Sequence, residues 1–153
     1  MRRSLCALGA LALGCAYLQI ATAPRIPACD GPLLPVAEIP GGDFRLRERV
    51  RFTGDRGVDL GLELLAERRG DRLVVIGFDK FGARVFSLVQ TGSDVAGESK
   101  LGRALAIPPE NALRDLHAAR FFDPESGERA EVRRPGCAYT ATFVRVERRP
   151  LRR

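Results

Sequence analysis

The stretch Phe-Arg-Leu-Arg-Glu-Arg-Val-Arg-Phe at residues 44–52 decides the fold, because apolar and charged side chains alternate through most of it. A period of two residues is that of a β-strand with one apolar and one charged face. Residues 58–66 repeat this alternation after a turn, and residues 73–78 and 83–90 have the apolar, β-branched character of two further strands. The pattern therefore predicts four antiparallel strands in one sheet.

Charge complementarity predicts how the first two strands pair. One register places Arg51 opposite Asp59 and Arg47 opposite Glu63, and such exposed cross-strand pairs contribute about 0.2 to 1 kcal/mol each. The same register gathers the apolar side chains of all four strands on the opposite side of the sheet. One broad apolar face is expected.

This apolar face is predicted to line a cavity. The candidate lining residues are Leu46, Val50, Leu60, Leu62, Leu73, Val75, Phe86 and Leu88. Two charges intrude on the face, and Glu48 is expected near its rim. Arg84 is predicted to point inward, where an unpaired charge is costly. It should therefore meet Asp115, Glu48 or a ligand headgroup, and a structural ion pair is the plainer alternative.

The rest of the chain predicts an α+β fold that is mainly β with one or two helices. A glycine-rich link is expected at residues 92–102, followed by an amphipathic helix over residues 108–120 that opens with proline and lies over the apolar face. Short strands are predicted near residues 130–133 and 138–147. Residues 148–153 form a basic tail, which is either solvated and frayed or in contact with anionic lipid headgroups.

The amino terminus predicts export and lipid anchoring. Residues 1–14 carry two arginines followed by a short apolar run, which is typical of a signal peptide. The run Leu-Ala-Leu-Gly-Cys at residues 11–15 resembles the bacterial lipobox, in which the cysteine, here Cys15, receives a diacylglyceryl thioether. Two alternatives stay open: an uncleaved anchor that continues through Ile20, and ordinary cleavage after residues 21–23.

Cysteine parity and proline content bear on the next segment. Once Cys6 has left with the signal and Cys15 is acylated, Cys29 and Cys137 remain as an even pair in an oxidising compartment. A disulfide between them is predicted, with two unrelated thiols as the alternative. Residues 15–43 are rich in proline and glycine and predict a semi-rigid tether to the bilayer. The folded domain is expected at residues 44–147.

The composition restricts the function. The chain has 153 residues, 45% of them apolar, with one histidine and no tryptophan, which describes one modest folded domain. A single imidazole argues against a histidine-built metal centre or a nucleophile–histidine relay, so neither a cofactor nor an enzymatic activity is expected. The net charge of +6 is spread along the chain, and nucleic acid is not an expected partner.

The stretch Gly77 to Leu88, with its Phe-Gly-x-Arg-x-Phe segment, and the later Leu113-Arg114-Asp115-Leu116 resemble a family of small bacterial envelope lipoproteins. That family is similar to the LolA/LolB lipoprotein carriers. The resemblance covers about residues 44–121 and implies an open antiparallel half-barrel with a helix packed on its concave face. It also implies that the concavity receives acyl chains.

The leading hypothesis is therefore a non-enzymatic outer-membrane lipoprotein, on the periplasmic face, that binds acyl chains such as palmitate or assists lipid or lipoprotein transport. Ala16, in place of Asp after the acylated cysteine, favours the outer membrane. The expected partners are the membrane itself, acyl chains and other lipoproteins. The alternative is a lipid-anchored structural or assembly module whose core is filled by its own helix. An enzyme is the third hypothesis.

Overall fold

The structure is a computed structural model and describes residues 25–101 and 105–152. Its strands are β1 (Phe44–Gly54), β2 (Asp59–Arg69), β3 (Arg72–Phe78), β4 (Arg84–Thr91), β5 (Asp94–Ser99), β6 (Arg129–Arg134) and β7 (Tyr139–Pro150). One α-helix, α1 (Pro109–Arg120), and two 3-10 helices, Val36–Glu38 and Pro135–Cys137, complete the described elements. No helix in these ranges is long and apolar enough to cross a bilayer.

All seven strands form one antiparallel sheet in the order β5-β4-β3-β2-β1-β7-β6. The edges are β5 and β6, so the sheet of the described residues is open. The predicted fold class, mainly β with a helix, is confirmed. The four strands predicted within residues 44–90 are β1 to β4. The two short strands predicted near the carboxyl end are β6 and β7.

The glycine-rich link predicted at residues 92–102 is wrong in its middle, because Asp94–Ser99 forms the edge strand β5. Gly97 lies opposite Leu88 of β4, and a Cβ added at Gly97 would lie 2.3 Å from Leu88 Cδ2. A glycine in a strand often marks such a close approach. At this position the glycine allows pairing with β4 and does not indicate a loop.

The register of β1 and β2 differs by two residues from the predicted one. Arg51 lies opposite Gly61, and Arg47 lies opposite Leu65. Both predicted ion pairs nevertheless form as diagonal neighbours, with Arg51 Nη2 2.6 Å from Asp59 Oδ2 and Arg47 Nε 2.8 Å from Glu63 Oε1. Because side chains alternate with a period of two, a two-residue shift leaves every residue on its predicted face.

The face of the sheet that carries α1 is called here the inner face. Its apolar side chains are at most 5% exposed and are Phe44, Leu46, Val50, Phe52, Leu62, Leu64, Ala66, Leu73, Val75, Phe86, Leu88, Tyr139, Ala141 and Phe143. Ala112, Leu113, Leu116 and Ala119 of α1 belong to the same buried cluster. Since burying a large apolar side chain contributes about 1.5 to 3 kcal/mol, this contact supplies most of the driving force for folding.

Arg84 does not point inward as predicted. Between Gly77 and Phe78 the β3–β4 ladder shifts register, so that Phe78 lies opposite Arg84 and Gly77 opposite Phe86, with Val85 as the extra residue. This bulge buries Val85 beside Phe86 and turns Arg84 to the surface, because an inserted residue breaks the alternation of faces. Arg84 Nη2 lies 3.3 Å from the exposed Glu98 Oε1.

The tether predicted at residues 15–43 is wrong for its described part. Residues 25–40 have little regular structure, but they pack against the domain, and Ile26, Val36 and Ile39 are at most 5% exposed. Proline-rich sequence predicts an extended backbone, but it does not predict whether that backbone packs against the domain. The prediction of a basic tail at residues 148–153 is wrong at its start, because Arg148 and Arg149 lie within β7.

The Phe86 ring leaves no room for a larger side chain at Gly77. A Cβ at this position would lie 2.3 Å from Cε1 of the buried Phe86. We expect Gly77→Ala to lower the free energy of unfolding by about 1 to 3 kcal/mol, as overpacking does. Urea unfolding measures this. Gly61→Ala is the control, since its Cβ would meet nothing within 4 Å. Equal losses in both variants would contradict the interpretation.

Candidate functional site

Side chains of helix α1 form hydrogen bonds with backbone groups of the segment 25–40. Asn111 accepts the Cys29 N–H through Oδ1 at 2.9 Å and donates through Nδ2 to the Pro27 carbonyl at 2.9 Å. Arg114 and His117 continue this row at intervals of three residues, which places their side chains on one side of the helix. Arg114 donates to the Gly31 carbonyl, and His117 Nδ1 accepts the Leu34 N–H at 3.2 Å.

The predicted disulfide is confirmed. Cys29 of the segment and Cys137 of the β6–β7 turn are bonded, with Cα atoms 6.1 Å apart and 108 positions between them in sequence. In the loop-closure account, a cross-link over such a length stabilises the fold by about 4 to 5 kcal/mol. The segment is thus fixed covalently at one end of the sheet and by hydrogen bonds along α1.

His117 is completely buried and fully hydrogen-bonded. Because the Leu34 N–H donates to Nδ1, the ring proton lies on Nε2, which donates to Gln90 Oε1 at 3.0 Å. Gln90 Nε2 donates in turn to the carbonyls of Leu34 and Gly92, at 2.7 and 2.9 Å. Burial lowers the pKa of His117 from 6.5 to about 4. The imidazole is neutral and serves as a structural connector.

An ion pair between Glu48 of β1 and Arg120 of α1 lies in the core. Arg120 donates from Nε to Glu48 Oε1 at 2.6 Å and from Nη2 to Oε2 at 2.9 Å, and both residues are 0% exposed. Arg120 also donates to the Gly127 and Glu128 carbonyls. Burial raises the pKa of Glu48 against the lowering effect of Arg120. Glu48, which was expected near the rim, therefore joins the helix to the centre of the sheet.

A second polar contact joins α1 to the other half of the sheet. Asp115 is 0% exposed, accepts the Tyr139 hydroxyl at 2.7 Å and accepts Arg134 Nε at 2.7 Å. Burial raises the pKa of Asp115, and burial, together with the hydrogen bond to Asp115, raises the pKa of Tyr139. Asp115 was predicted as a partner of Arg84. Its partners come instead from β6 and β7.

The residues predicted to line a cavity lie in the packed core of the described structure. Seven of them are at most 5% exposed, namely Leu46, Val50, Leu62, Leu73, Val75, Phe86 and Leu88. Leu60 is half-buried and packs against the same cluster. The inner face that carries them is covered by α1 and by the segment 25–40.

Open apolar space lies on the opposite side of the sheet, called here the outer face. A surface groove of about 740 Å³ is bordered by Leu65, Phe78 and the charged Arg47 and Glu63. Two residues of the predicted cavity lining, Val50 and Leu62, also border this groove. A neighbouring groove of about 330 Å³ is lined by Leu65, Val74 and Ile76, with charged residues at its rim. Strand β3 is therefore apolar on both faces, whereas β1 is apolar on the inner face alone.

No known protein family, curated protein or solved structure matches this chain significantly. The site is therefore interpreted from its own geometry. The predicted lipid anchor, Cys15, lies outside the described residues. So does the signal sequence at residues 1–14.

The buried polar network joins the helix, the sheet and the segment 25–40. Glu48, Asp115, His117 and Arg120 are all 0% exposed and all engaged by the protein. General acid–base chemistry requires a side chain within hydrogen-bonding reach of its substrate, and none of these four reaches the surface. Among the described residues no group of three His, Cys, Asp or Glu side chains is placed to hold a metal ion.

The sequence reasoning missed Arg120 and the role of Asn111. Arg120 follows Leu113 and Leu116 on the apolar side of the helix, at seven and four residues. A cation at that spacing, opposite a strand face that also carries one carboxylate, is a signal for a buried pair. Asn111 carried no such signal, because its partners are backbone atoms of an irregular segment.

Removing the buried cation is expected to be far more damaging than removing an exposed one. Arg120→Met should lower the free energy of unfolding by about 3 to 5 kcal/mol, because Glu48 keeps its buried charge without its main partner. The matched control is Arg51→Met. Arg51 holds Asp59 in the same two-bond geometry, but both side chains are more than half exposed, so a much smaller loss is expected because solvent screens the pair.

Urea unfolding measures both variants. The double variant Glu48→Leu with Arg120→Met should recover most of the loss, since neither member of the pair is then left as an uncompensated buried charge. Similar losses for Arg120→Met and Arg51→Met would refute the assigned role of the buried pair.

His117 is the only histidine, so its titration can be followed without assignment by NMR of the imidazole. We expect a pKa of about 4 in the folded protein and about 6.5 in urea. Because folding lowers this pKa, the imidazole's contribution to stability is complete above pH 6.5. It is lost as the pH falls toward 4, by at most about 1.4 kcal/mol per pH unit. A folded-state pKa above 6 would contradict the bonding described here.

Proposed function

We propose that this protein is a lipid-anchored, non-enzymatic module of the bacterial envelope whose sheet is filled by its own helix and amino-terminal segment. The observation that carries the proposal is the burial of the inner face. The side chains predicted to line a cavity pack against α1 and the segment 25–40. A domain of this kind acts through its surfaces, as a structural or assembly component.

The compartment is supported by two independent features. The Cys29–Cys137 disulfide belongs to an oxidising environment, such as the bacterial periplasm. The lipobox-like residues 11–15 supply the export signal and the acylated Cys15. Acyl chains on Cys15 would hold the protein at the membrane, since each buried methylene contributes about 0.8 kcal/mol. Outer-membrane placement follows from Ala16 and is part of the proposal.

The absence of an enzymatic role is supported by the buried network. In this network the pKa values of Glu48, Asp115 and Tyr139 are raised and that of His117 is lowered, in each case mainly by burial. Perturbed groups of this kind often mark active sites, but structural networks perturb pKa values in the same way. Here each group is satisfied inside the protein, which favours the structural explanation.

Acyl-chain binding, with a LolA/LolB-like half-barrel, is the second candidate function. The observation in its favour is the apolar wall of the outer-face grooves, formed by Leu65, Val74, Ile76 and Phe78. On the inner face, a ligand would have to displace α1 together with Arg120 and Asp115. That displacement would break the Arg120–Glu48 ion pair and leave Glu48 charged against the apolar ligand, so the outer face is the more accessible position.

Two measurements test the proposed function. Cys15→Ala should release the protein from the membrane fraction and abolish incorporation of labelled palmitate, because the acylated thiol is removed. The matched control is Cys6→Ala, which alters the signal sequence and leaves the anchor. Retention of label and membrane association by Cys15→Ala would overturn the anchoring.

The second measurement is displacement of a fluorescent fatty acid by the purified protein. A self-filled core predicts no saturable one-to-one binding. Saturable binding that Ile76→Asp abolishes and Arg51→Gln preserves would favour the acyl-binding function at the outer face. Saturable binding that neither variant alters would place the ligand at the inner face and contradict a self-filled core.

A further inference from the structure

Three turns leave the sheet at the same end, called here the hairpin end. The β1–β2 turn and the β6–β7 turn are in contact, with the Asp55 N–H donating to the Ala138 carbonyl at 3.2 Å. The β3–β4 turn at residues 79–83 also points this way, since β3 runs antiparallel to β2 and ends at Phe78, opposite Glu63. The turns β2–β3 and β4–β5 lie at the opposite end.

The described chain begins at the hairpin end. Arg25, Ile26 and Pro27 line a surface depression of about 580 Å³ together with Arg56 of the β1–β2 turn and Cys137. The Ile26 N–H is held by the Ala106 carbonyl at 2.8 Å, and the disulfide fixes Cys29 close by. The position at which the amino-terminal residues join the domain is therefore rigid.

The β3–β4 turn holds an aromatic ring in solvent. Phe81 is 83% exposed, the largest value among the exposed large apolar residues of the described chain. The turn is rigid, because Asp79 Oδ1 accepts the N–H groups of Phe81 and Ala83 at 2.8 and 2.9 Å, and the Gly82 N–H donates to the Asp79 carbonyl. Exposure of this apolar ring to water is unfavourable in free energy, and a partner that covers the ring would remove that cost.

Three exposed cations lie at the hairpin end, one of them beside this ring. Arg25, Arg56 and Lys80 are exposed, and the ion pairs found among the described residues include none of them. Lys80 Nζ lies 5.0 Å from the centre of the Phe81 ring. The carboxylates in these turns are Asp55 and Asp79, and Asp79 is engaged by its own turn. Asp59, directly after the β1–β2 turn, is paired with Arg51. The surface is basic with an apolar tip.

We infer that the hairpin end docks onto an anionic lipid bilayer, with the Phe81 ring at the level of the headgroups and Arg25, Arg56 and Lys80 against lipid phosphates. The inference rests on the proposed anchor at Cys15. Phenylalanine on the apolar side of a membrane-binding surface enters the boundary between headgroups and acyl chains, and lysine and arginine are attracted to anionic lipid surfaces. The partner is therefore identified by both components of this surface.

The chain length agrees with this orientation. Arg25 follows Cys15 by ten residues, which span at most about 35 Å. The domain therefore stays near the bilayer, and the hairpin end is the part that the connection brings closest. Phe78, which precedes the β3–β4 turn, pairs with Glu63, four residues into β2. The β3–β4 turn therefore lies about 13 Å behind the β1–β2 turn along the strand direction. A bilayer that touches both turns is therefore tilted relative to the sheet.

The absence of tryptophan allows a single-tryptophan test on the full-length, acylated protein. Phe81→Trp reports on the hairpin end, and Ser93→Trp reports on the opposite end as the matched control. Each is reconstituted in vesicles of phosphatidylethanolamine with 30% phosphatidylglycerol, with and without brominated acyl chains. We expect a blue shift and strong quenching by brominated lipid for Phe81→Trp, and neither for Ser93→Trp.

Charge variants test the basic component in the Phe81→Trp background. The test variant removes the three cations of the hairpin end: Arg25→Gln, Arg56→Gln and Lys80→Gln. The control removes the same charge at the opposite end: Arg72→Gln, Arg149→Gln and Arg152→Gln. Each cation of the hairpin end should strengthen docking about fivefold, so quenching should fall sharply in the test variant and stay unchanged in the control.

The outcomes separate this inference from the proposed anchor. Failure of the protein to float with vesicles would overturn the anchor and, with it, the docking that rests on it. A protein that floats but shows a solvent-exposed tryptophan in Phe81→Trp overturns the docking and leaves the anchor standing. Stronger quenching in Ser93→Trp than in Phe81→Trp, or equal loss in the two charge variants, overturns the docking as well.

Discussion

The structure depends on covering the inner face of the sheet. This face exposes a continuous apolar surface across β1 to β4 and β7, and an open sheet cannot close on itself to exclude water. One twelve-residue helix is too narrow to cover five strands. The segment 25–40 completes the layer, and the disulfide keeps it there. What the sequence suggests is a spacer is therefore part of the core.

The position of α1 is set by polar contacts on both of its sides. One side binds the backbone of the segment through Asn111, Arg114 and His117, and the other binds the sheet through Asp115 and Arg120. Apolar contact alone permits the helix to slide or rotate, because it is not directional. Buried hydrogen bonds permit one arrangement, since any other leaves charges unpaired in the core. The same contacts explain why the perturbed groups of this protein are structural.

Local patterns were sufficient for the strands and the helix, and insufficient wherever a single residue interrupts the pattern. Alternation located β1 to β4, and proline with helical spacing located α1. The bulge at Val85 reversed the side of Arg84, because an inserted residue is invisible to a period of two. Gly97 concealed β5, since a glycine that permits close packing looks the same in sequence as one that permits a turn. Glu48 was recognised as anomalous, but its partner is 72 positions away.

The sequence by itself determined the strand faces, the helix, the even cysteine pair and the lipobox-like start of the chain, because each depends on neighbouring residues or on a count. Only the tertiary structure decided that the inner face is covered, that Arg120 neutralises Glu48, and that the segment 25–40 belongs to the domain. These depend on which distant surfaces meet and on how much space lies between them. The placement of Phe81 and Arg56 at the same end of the sheet follows from strand order for the same reason, since antiparallel pairing brings hairpin turns that are far apart in sequence to one end.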